Sequence, residues 1–522
     1  MTSLRSWPGR VEGAWAKPAD GAWLAALRIL LGSILCFSMI RFIAYGWVDE
    51  FFVKPEFHFK YWGFSWITPL PGPWMHALFY GMAVLGACVA LGAFFRVTSW
   101  LFALGFAYLQ LLDVTTYLNH YYLATLLVVL LSLSPAHRLW SIDVWLRPGL
   151  RRSEIAGGWH WLFRFQVAVV YTFAGLAKAQ PDWLIHAQPL SIWLGSKTDM
   201  PVLGVLFQQP WAPWAFSWAG FLFDTTIAGF LLWPRTRVPA YAIVLVFHTL
   251  TRLLFPIGMF SAIMCVAALV FFAPGWPRLL GERALSFIGD WAPGSGLQGS
   301  KSRNTSLLWP RAVSLSNGAG GHAPSDEGVE GHRVALRIVG ASTHVSPVAA
   351  APEPGARSPM RLGWHSIRTA AVLCYIAISV ALPLRHWLYS GSVLWHEQGM
   401  RWSWRVMVRE KNGVTTFHVR DKETGARWQV APRHYLNRLQ EREMSGQPDL
   451  ILQLAHHIRD EFKAKTGHDI EVRVESLVSL NGRRFRPMID PNVDLGSITD
   501  SVAPAAWITE SPPEAPPRIR PI

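Results

Sequence analysis

The chain has 522 residues, of which 51% are hydrophobic and only 16% are charged. A soluble protein typically has about 25% charged residues, and the deficit here falls mainly in about the first 275 positions, which excludes an ordinary soluble enzyme. The formal net charge of +14 does not form a basic stripe with interleaved aromatics, so no nucleic-acid partner is indicated. Neither a metal-ligand spacing nor a phosphate-binding glycine loop occurs, so no metal is expected.

Apolar runs that approach the roughly 20 residues needed to cross a bilayer predict a polytopic α-helical membrane protein with about nine spans. The fourth run is short, and only a few residues separate the seventh from the eighth. The predicted spans are Trp23–Ile43, Met75–Phe95, Ser99–Tyr117, Tyr121–Ser134, Trp161–Ala177, Pro213–Trp233, Val238–Leu254, Ile257–Ala273 and Ile367–Leu384.

Composition along the chain predicts six parts. Gly, Ser, Pro and Ala dominate the segment before the last span, which is typical of a linker, and proline dominates the C-terminus, which is typical of disorder. The parts are a cytoplasmic N-terminus (1–20), a transmembrane helical domain with spans one to eight (21–285), a flexible cytoplasmic linker (286–363), span nine (364–385), an extracytoplasmic β-rich domain (386–503) and a disordered tail (504–522).

The basic residues predict the orientation of the chain. Arg and Lys concentrate before span one and between spans two and three, four and five, and six and seven, as well as after span eight. With nine spans all these segments lie on one side, and the positive-inside rule makes that side cytoplasmic. We therefore expect a multi-pass cell-membrane protein whose N-terminus is cytoplasmic and whose C-terminal domain is extracytoplasmic.

The C-terminal domain shows strand and helix patterns. An amphipathic helix is predicted at Asp449–Lys465, because apolar residues recur four positions apart. Two strands flanking Asn481-Gly482 predict a hairpin. The predicted strands are Trp402–Val408, Val414–Val419, Arg427–Val430, Asp469–Leu480 and Arg484–Ile489.

A lysine, Lys178, ends the otherwise apolar fifth span. Tyr171, Gly175 and Lys178 are spaced i, i+4, i+7 and share one face of a helix. One interpretation is a snorkelling residue with its ammonium among lipid headgroups. The other is an amine held in an apolar pocket, where it loses its proton readily and can act as a general base.

Two further pairs of residues are candidates for chemistry or for structure. Asn119 and His120 lie between two apolar runs, where a histidine often serves only as a hydrogen-bonded cap. Asp224 and His248 lie within apolar spans, where ionisable groups usually face a cavity or a partner. For Asp224 the alternative is a structural salt bridge, with Arg28 and Arg41 of span one as candidate partners.

Several ordered motifs resemble those of vitamin K-dependent γ-glutamyl carboxylases. The similarity covers roughly residues 20–280 and 365–495, and it is closest to the bacterial branch, whose membrane part is the horizontally transferred transmembrane (HTTM) domain. The motifs are Arg96 with Gln110-Leu-Leu-Asp-Val-Thr, Leu118-Asn-His-Tyr-Tyr-Leu, Tyr171-Thr-Phe-Ala-Gly-Leu-Ala-Lys-Ala-Gln-Pro-Asp-Trp, Phe247 to Ser261, Ala273-Pro-Gly-Trp-Pro-Arg, Trp402-Ser-Trp-Arg-Val-Met-Val and Ile489-Asp-Pro-Asn-Val-Asp.

The resemblance implies a membrane enzyme that couples oxidation of a reduced vitamin K-type naphthoquinone by dioxygen to γ-carboxylation of glutamate side chains. Quinone epoxide is the second product, so the class is a carbon–carbon lyase and epoxidase. Dioxygen and carbon dioxide are cosubstrates, and membrane lipids and a glutamate-containing protein or peptide are partners. By the same resemblance Lys178 is the starting base, Asn119 and His120 hold the quinone oxygen and stabilise charge, and Ser403 and Trp404 contribute to substrate binding.

The chain departs from the animal enzymes at two of these motifs. Ala177 replaces the lysine that precedes the catalytic position, and Arg409 replaces a histidine after the Ser-Trp motif. These changes concern peptide recognition more than quinone chemistry. The alternative functions are a non-catalytic quinone- or lipid-binding membrane scaffold and a transporter with Asp224 and His248 as coupling residues, although no pair of Gly- or Pro-interrupted spans recurs in two halves.

Overall fold

The computed structural model describes residues 7–291 and 364–518. The predicted linker 286–363 lies outside the described residues except for its first six, which end a helix. The first six residues of the chain and the last four also lie outside them. The rest of the chain forms one compact unit.

The N-terminal half is built from helices and one small antiparallel sheet, in which β1 (Pro18–Asp20) pairs with β2 (Glu154–Ala156). The helices, in chain order, are α1 (Trp7–Ala16), α2 (Ala22–Ala44), α3 (Gly72–Leu91), α4 (Phe95–Leu112), α5 (Asn119–Leu133), α6 (Ile142–Leu146), α7 (Gly158–Lys178), α8 (Pro181–Leu184), α9 (Leu190–Gly195), α10 (Leu203–Phe207), α11 (Ala212–Leu232), α12 (Arg237–Leu254), α13 (Phe260–Ala268) and α14 (Trp276–Trp291).

Six helices within the described residues are long and apolar enough to cross a membrane: α2, α3, α4, α11, α12 and the helical stretch Ile367–Leu388. A seventh is formed if Phe260–Phe271 and Trp276–Arg283, which meet at an angle of 99°, are one broken span. The two other predicted spans coincide with α5, which has only 15 residues, and α7, which carries several polar residues. All nine predicted segments are helical, but the count of nine spans is not confirmed.

Small residues allow α2 and α3 to pack closely. A Cβ on Gly32 would lie 2.5 Å from the backbone nitrogen of Ala90, and one on Gly86 would lie 2.9 Å from the Cα of Cys36. Glycine is therefore needed at both positions, as is common where membrane helices approach each other. The pair contributes to the helical core, in which Leu31 of α2 is fully buried.

The C-terminal region contains a four-stranded antiparallel sheet in the order β4-β3-β5-β6. Alternate residues of β3 and β5 are buried, and a helical layer contributes to the same core. The elements are α15 (Trp364–Leu384), α16 (Val393–His396), β3 (Lys411–Asp421), β4 (Arg427–Val430), α17 (Arg438–Ser445), α18 (Pro448–Thr466), β5 (Ile470–Leu480) and β6 (Arg486–Pro487).

Most of the predicted C-terminal elements are confirmed. The amphipathic helix is α18, and the hairpin across Asn481-Gly482 joins β5 to β6, where Leu477 pairs with Pro487. The predicted strand Trp402–Val408 is wrong, because Trp402 and Trp404 have φ angles of 60° and 58° and cannot continue an extended chain. The described part of the predicted disordered tail, 504–518, has little regular structure but forms a β-bridge and hydrogen bonds with the C-terminal domain.

The C-terminal domain docks on three connections of the helical domain. Gln440 donates a 2.8 Å hydrogen bond to Asp113, which follows α4. Gln453 exchanges hydrogen bonds with the backbone of Lys60, between α2 and α3. Asp182 in α8 accepts two 2.7 Å bonds from Arg483. This docking holds the segment after α15 against the end of α7.

Candidate active site

The contact between α7 and α11 depends on one glycine. A Cβ on Gly175 would lie 2.5 Å from Cγ2 of Thr225 and 2.8 Å from its backbone nitrogen. Lys178 lies almost one turn further along the same face of α7, and Asp224 immediately precedes Thr225. The close approach of the two helices therefore brings Lys178 Nζ to 2.8 Å from Asp224 Oδ2.

Lys178 is buried within the protein, with 5% of its surface exposed. Its amine donates to Asp224, to the backbone oxygen of Ala174 at 3.2 Å and to that of Val406 at 3.4 Å. The amine also lies 5.2 Å from the centre of the Trp183 ring. A snorkelling lysine extends its amine away from the protein to the lipid headgroups, whereas the amine of Lys178 is enclosed by protein atoms.

The expected partners of Asp224 were wrong. Among the described residues Arg28 donates only to backbone oxygens, such as that of Ala90 at 2.9 Å, and Arg41 lies over the ring of Trp47 at 5.2 Å. Both arginines are on α2, which packs chiefly against α3. Asp224 instead faces α7, so its partner is Lys178.

A cavity of about 370 Å³ lies beside this pair. Its walls come from α7, α11, α12 and α13, and they are mostly apolar or aromatic. Lys178, Asp224, His248 and Tyr171 provide polar atoms in the lining. Tyr171, which sequence reasoning placed on the lysine face without a role, has its hydroxyl 3.1 Å from His248 Nε2. A hydroxyl that donates to Nε2 leaves Nδ1 as a donor, and this buried Nδ1 has no partner among the described residues.

Asn119 and His120 do not line this cavity. Asn119, the first residue of α5, accepts a 3.0 Å hydrogen bond from the hydroxyl of Tyr117, which lies in the connection between α4 and α5. His120 is buried, with 5% exposed, and its ring lies 6.0 Å from that of Phe260. Phe260 lines the cavity and is 5.6 Å from the ring of His248, so one aromatic ring stands between His120 and the cavity.

Ser403 and Trp404 are also outside the cavity lining, although their segment reaches it. Trp404 stacks on Tyr122 at 4.9 Å, and Ser403 donates its hydroxyl to the backbone oxygen of Met400. The next residues, Val406 and Met407, line the cavity. Sequence reasoning missed them because their position depends on the left-handed turns of this segment.

The geometry permits proton transfer in a place sheltered from water. A buried amine next to a carboxylate can pass its proton to that carboxylate and become neutral, which is the form that acts as a base. The apolar walls keep bulk water away from groups that react with strong bases. In the described residues, no three His, Cys, Asp or Glu side chains are grouped as metal ligands.

Two family models match the chain. The HTTM domain model matches residues 16–276, which is half of the chain. The model for the lumenal domain of vitamin K-dependent gamma-carboxylase matches residues 364–514. No solved structure matches the chain. The two matches include all the helices and strands that surround the cavity.

Proposed function

Because the chain belongs to the vitamin K-dependent γ-carboxylase family, we propose that it is a membrane enzyme that couples oxidation of a reduced naphthoquinone by dioxygen to γ-carboxylation of glutamate side chains. The substrate is a glutamate-containing protein or peptide, and quinone epoxide is the second product. The observation that carries the proposal is the buried Lys178–Asp224 pair at the edge of an apolar cavity.

The cavity suits a reduced naphthoquinone in size and chemistry. Pockets for small molecules typically have about 300–1,000 Å³ and mostly apolar walls with a few polar groups, and this one has about 370 Å³. The lysine amine and the unpartnered Nδ1 of His248 supply polar contacts for the ring oxygens. A bound reduced quinone supplies, together with dioxygen, the strong base that the carboxylation requires.

Lys178 is the proposed starting base, and Asp224 its proton acceptor. The carboxylate 2.8 Å from Nζ can take the ammonium proton and later return it. Trp183 covers the amine, and its indole donates a 2.8 Å hydrogen bond to the backbone of Ser217, which fixes the ring in place. Lys178 therefore has both a proton route and a shield from water.

His120 is proposed to stabilise negative charge that develops near the cavity, and Asn119 to hold the segment that presents it. The support is the position of His120 one aromatic ring away from the cavity. Ser403 and Trp404 are proposed to contribute to substrate binding through their segment, whose continuation at Val406 and Met407 lines the cavity.

We also propose nine crossings, with a cytoplasmic N-terminus and an extracytoplasmic C-terminal domain. The contacts of Lys60, Asp113 and Asp182 with the C-terminal domain support a common side for the ends of α2, α4 and α7. The β1–β2 pairing and the 2.8 Å bond from Arg278 to Asp20 support a common opposite side for the starts of α2, α7 and α14. Fusions to reporter enzymes test this topology. A reporter that works only outside the cytoplasm should be active when it is fused after Ile489, and one that works only inside should be active when it is fused near position 320.

A turnover assay tests the proposed reaction. The purified chain in lipid nanodiscs receives reduced menaquinone or phylloquinone, dioxygen, labelled bicarbonate and a glutamate peptide, with the glutamine peptide as the matched control. We expect quinone epoxide, and label in the glutamate peptide alone. Saturable quinone binding without either product would instead support the binding scaffold.

A further inference from the structure

A second group of polar atoms lies across Phe260 from the cavity. It contains Arg41, in the last turn of α2, and His120, at the start of α5. His120 Nε2 is buried and has no hydrogen-bond partner among the described residues, and the same is true of Arg41 Nε. Two buried nitrogens without acceptors are costly unless a ligand or water satisfies them.

The two side chains converge on Gly258, in the connection between α12 and α13. An atom in the place of a Cβ on this glycine would lie 3.5 Å from Arg41 Nη2 and 3.6 Å from His120 Nε2. Gly258 has a φ of +59°, a conformation that costs other residues about 1–2 kcal/mol. The glycine therefore leaves open a space that Arg41 Nη2 and His120 Nε2 both border.

Arg41, which is only partly buried, differs from the buried arginines of the helical domain. Arg28 and Arg164 donate to backbone oxygens at the ends of neighbouring helical segments. No hydrogen bond from Arg41 to a carboxylate or a backbone oxygen occurs among the described residues; it contacts Trp47 and the hydroxyl of Tyr121. A guanidinium stays charged in proteins, so Arg41 keeps a positive charge available beside His120.

We propose that Arg41 and His120 form a binding site for an anionic oxygen, with Gly258 as its floor. The proposal rests on the proposed function, which supplies two sources of such an oxygen: the γ-carboxylate of the glutamate substrate and an oxygen of the reduced quinone. A cation at the carboxylate favours removal of the neighbouring γ-proton, since it offsets the charge that accumulates there. Arg41 is thereby assigned as a further substrate-binding residue.

Binding measurements on the full-length protein test this site. Intrinsic tryptophan fluorescence in nanodiscs gives the Kd of a glutamate peptide, of its glutamine analogue and of the reduced quinone under anaerobic conditions. The variants are Arg41→Gln, which removes the charge, and Arg41→Lys, which keeps it. Arg252→Gln is the matched control, because Arg252 is an exposed arginine in the last turn of another apolar helix, α12.

We expect Arg41→Gln to weaken the binding of one ligand by about 10- to 100-fold, which is the effect of losing charge-assisted hydrogen bonds. Arg41→Lys should weaken the same binding less. Weaker glutamate-peptide binding, with the glutamine peptide unaffected, identifies the carboxylate as the source. Weaker quinone binding identifies the quinone oxygen. The site would be overturned if the Arg41 variants had the same Kd values as Arg252→Gln for both ligands. It would also be overturned if neither ligand bound saturably to the unmodified protein.

If both Arg41 variants fail to fold, two glycine variants test the site instead. Gly258→Ala places a methyl group between the two nitrogens and leaves Arg41 in place. Gly46→Ala is its control, since Gly46 has a similar φ of +68° but open space around it. We expect weaker ligand binding in Gly258→Ala alone, and equal binding in the two variants would refute the site. Because these are equilibrium measurements, absence of turnover in the unmodified protein remains a separate failure, that of the proposed reaction.

Discussion

Two kinds of buried cation occur in the helical domain, and they differ in what surrounds them. Arg28 and Arg164 contact backbone oxygens that end other helical segments: Arg28 reaches Ala90 and Trp140, and Arg164 reaches Val270 and Phe271. Lys178, equally buried, faces a carboxylate and an open cavity.

The difference shows that burial of a charged side chain does not by itself indicate a catalytic role. A guanidinium among carbonyl oxygens satisfies acceptors that a helix end leaves free, and it cannot give up its proton. An amine next to a carboxylate can exchange its proton, and the cavity gives a reactant access to it. The arginines are therefore interpreted as structural and Lys178 as functional.

The largest expected effect is on turnover, in Asp224→Asn. The amide cannot accept the ammonium proton, so epoxide formation should fall by about 10²- to 10⁴-fold, the usual contribution of an acid–base group. The variant should fold, because an amide oxygen can still accept a bond from Lys178. Asp199→Asn, in an exposed connection, is the control. Undiminished turnover in Asp224→Asn would make the carboxylate structural.

The second-largest effect is expected on stability, in the variant Arg28→Met. Loss of the guanidinium leaves the backbone oxygens of Ala90 and Trp140 without their donor, and we expect the free energy of unfolding to fall by about 1–3 kcal/mol. Thermal unfolding in detergent measures the loss. Turnover per folded molecule should remain unchanged, and a specific loss of turnover would contradict the division between the two kinds of cation.

Gly175→Ala should separate α7 from α11. The added methyl group meets the backbone of Thr225, and overpacking of this kind costs about 1–3 kcal/mol. Gly229→Ala is the control on α11, because a Cβ there meets nothing within 4 Å. We expect Gly175→Ala to lower both the melting temperature and turnover, since it displaces Lys178 from Asp224. Equal behaviour of the two variants would show that the close approach is dispensable.

The smallest expected effect is at the docking contact of Asp182. Burial opposes the charge of this carboxylate, but the hydrogen bonds from Arg483 and Asn481 outweigh it and hold the pKa of Asp182 below its usual value of 3.8. The bond network therefore stabilises the fold above that pH, and the contribution is lost as the pH falls through the lower folded-state pKa.

We expect Asp182→Asn to lower stability by about 1 kcal/mol at pH 7, as measured by thermal unfolding. The difference from the unmodified protein should shrink as the pH is lowered below about 4, near the reference pKa of aspartate. Asp460→Asn, an exposed carboxylate beside Arg459, should show no such convergence. A difference that is independent of pH would contradict the role of the charge.

Local patterns in the sequence predicted much of the fold. Runs of apolar residues predicted nine segments that are all helical among the described residues, and the four-residue spacing located α18, because these signals depend on neighbouring residues alone. The turns at Trp402 and Trp404 escaped prediction, since aromatic residues are rare at positive φ. The pairing of Lys178 with Asp224 also escaped, because it depends on how α7 packs against α11. Gly175 was the sequence signal for that contact, as it shares a face with Lys178.

Exchange of the base itself tests the central claim most directly. Lys178→Arg keeps the charge and can still bind Asp224, but its guanidinium does not release a proton; Lys178→Ala removes the amine. Both should fold and both should lose epoxide formation, while Lys54→Arg, at an exposed lysine, should not. We expect a small exogenous amine to restore part of the activity of Lys178→Ala. Epoxide formation at the unmodified rate in Lys178→Arg would contradict a role for Lys178 as the starting base.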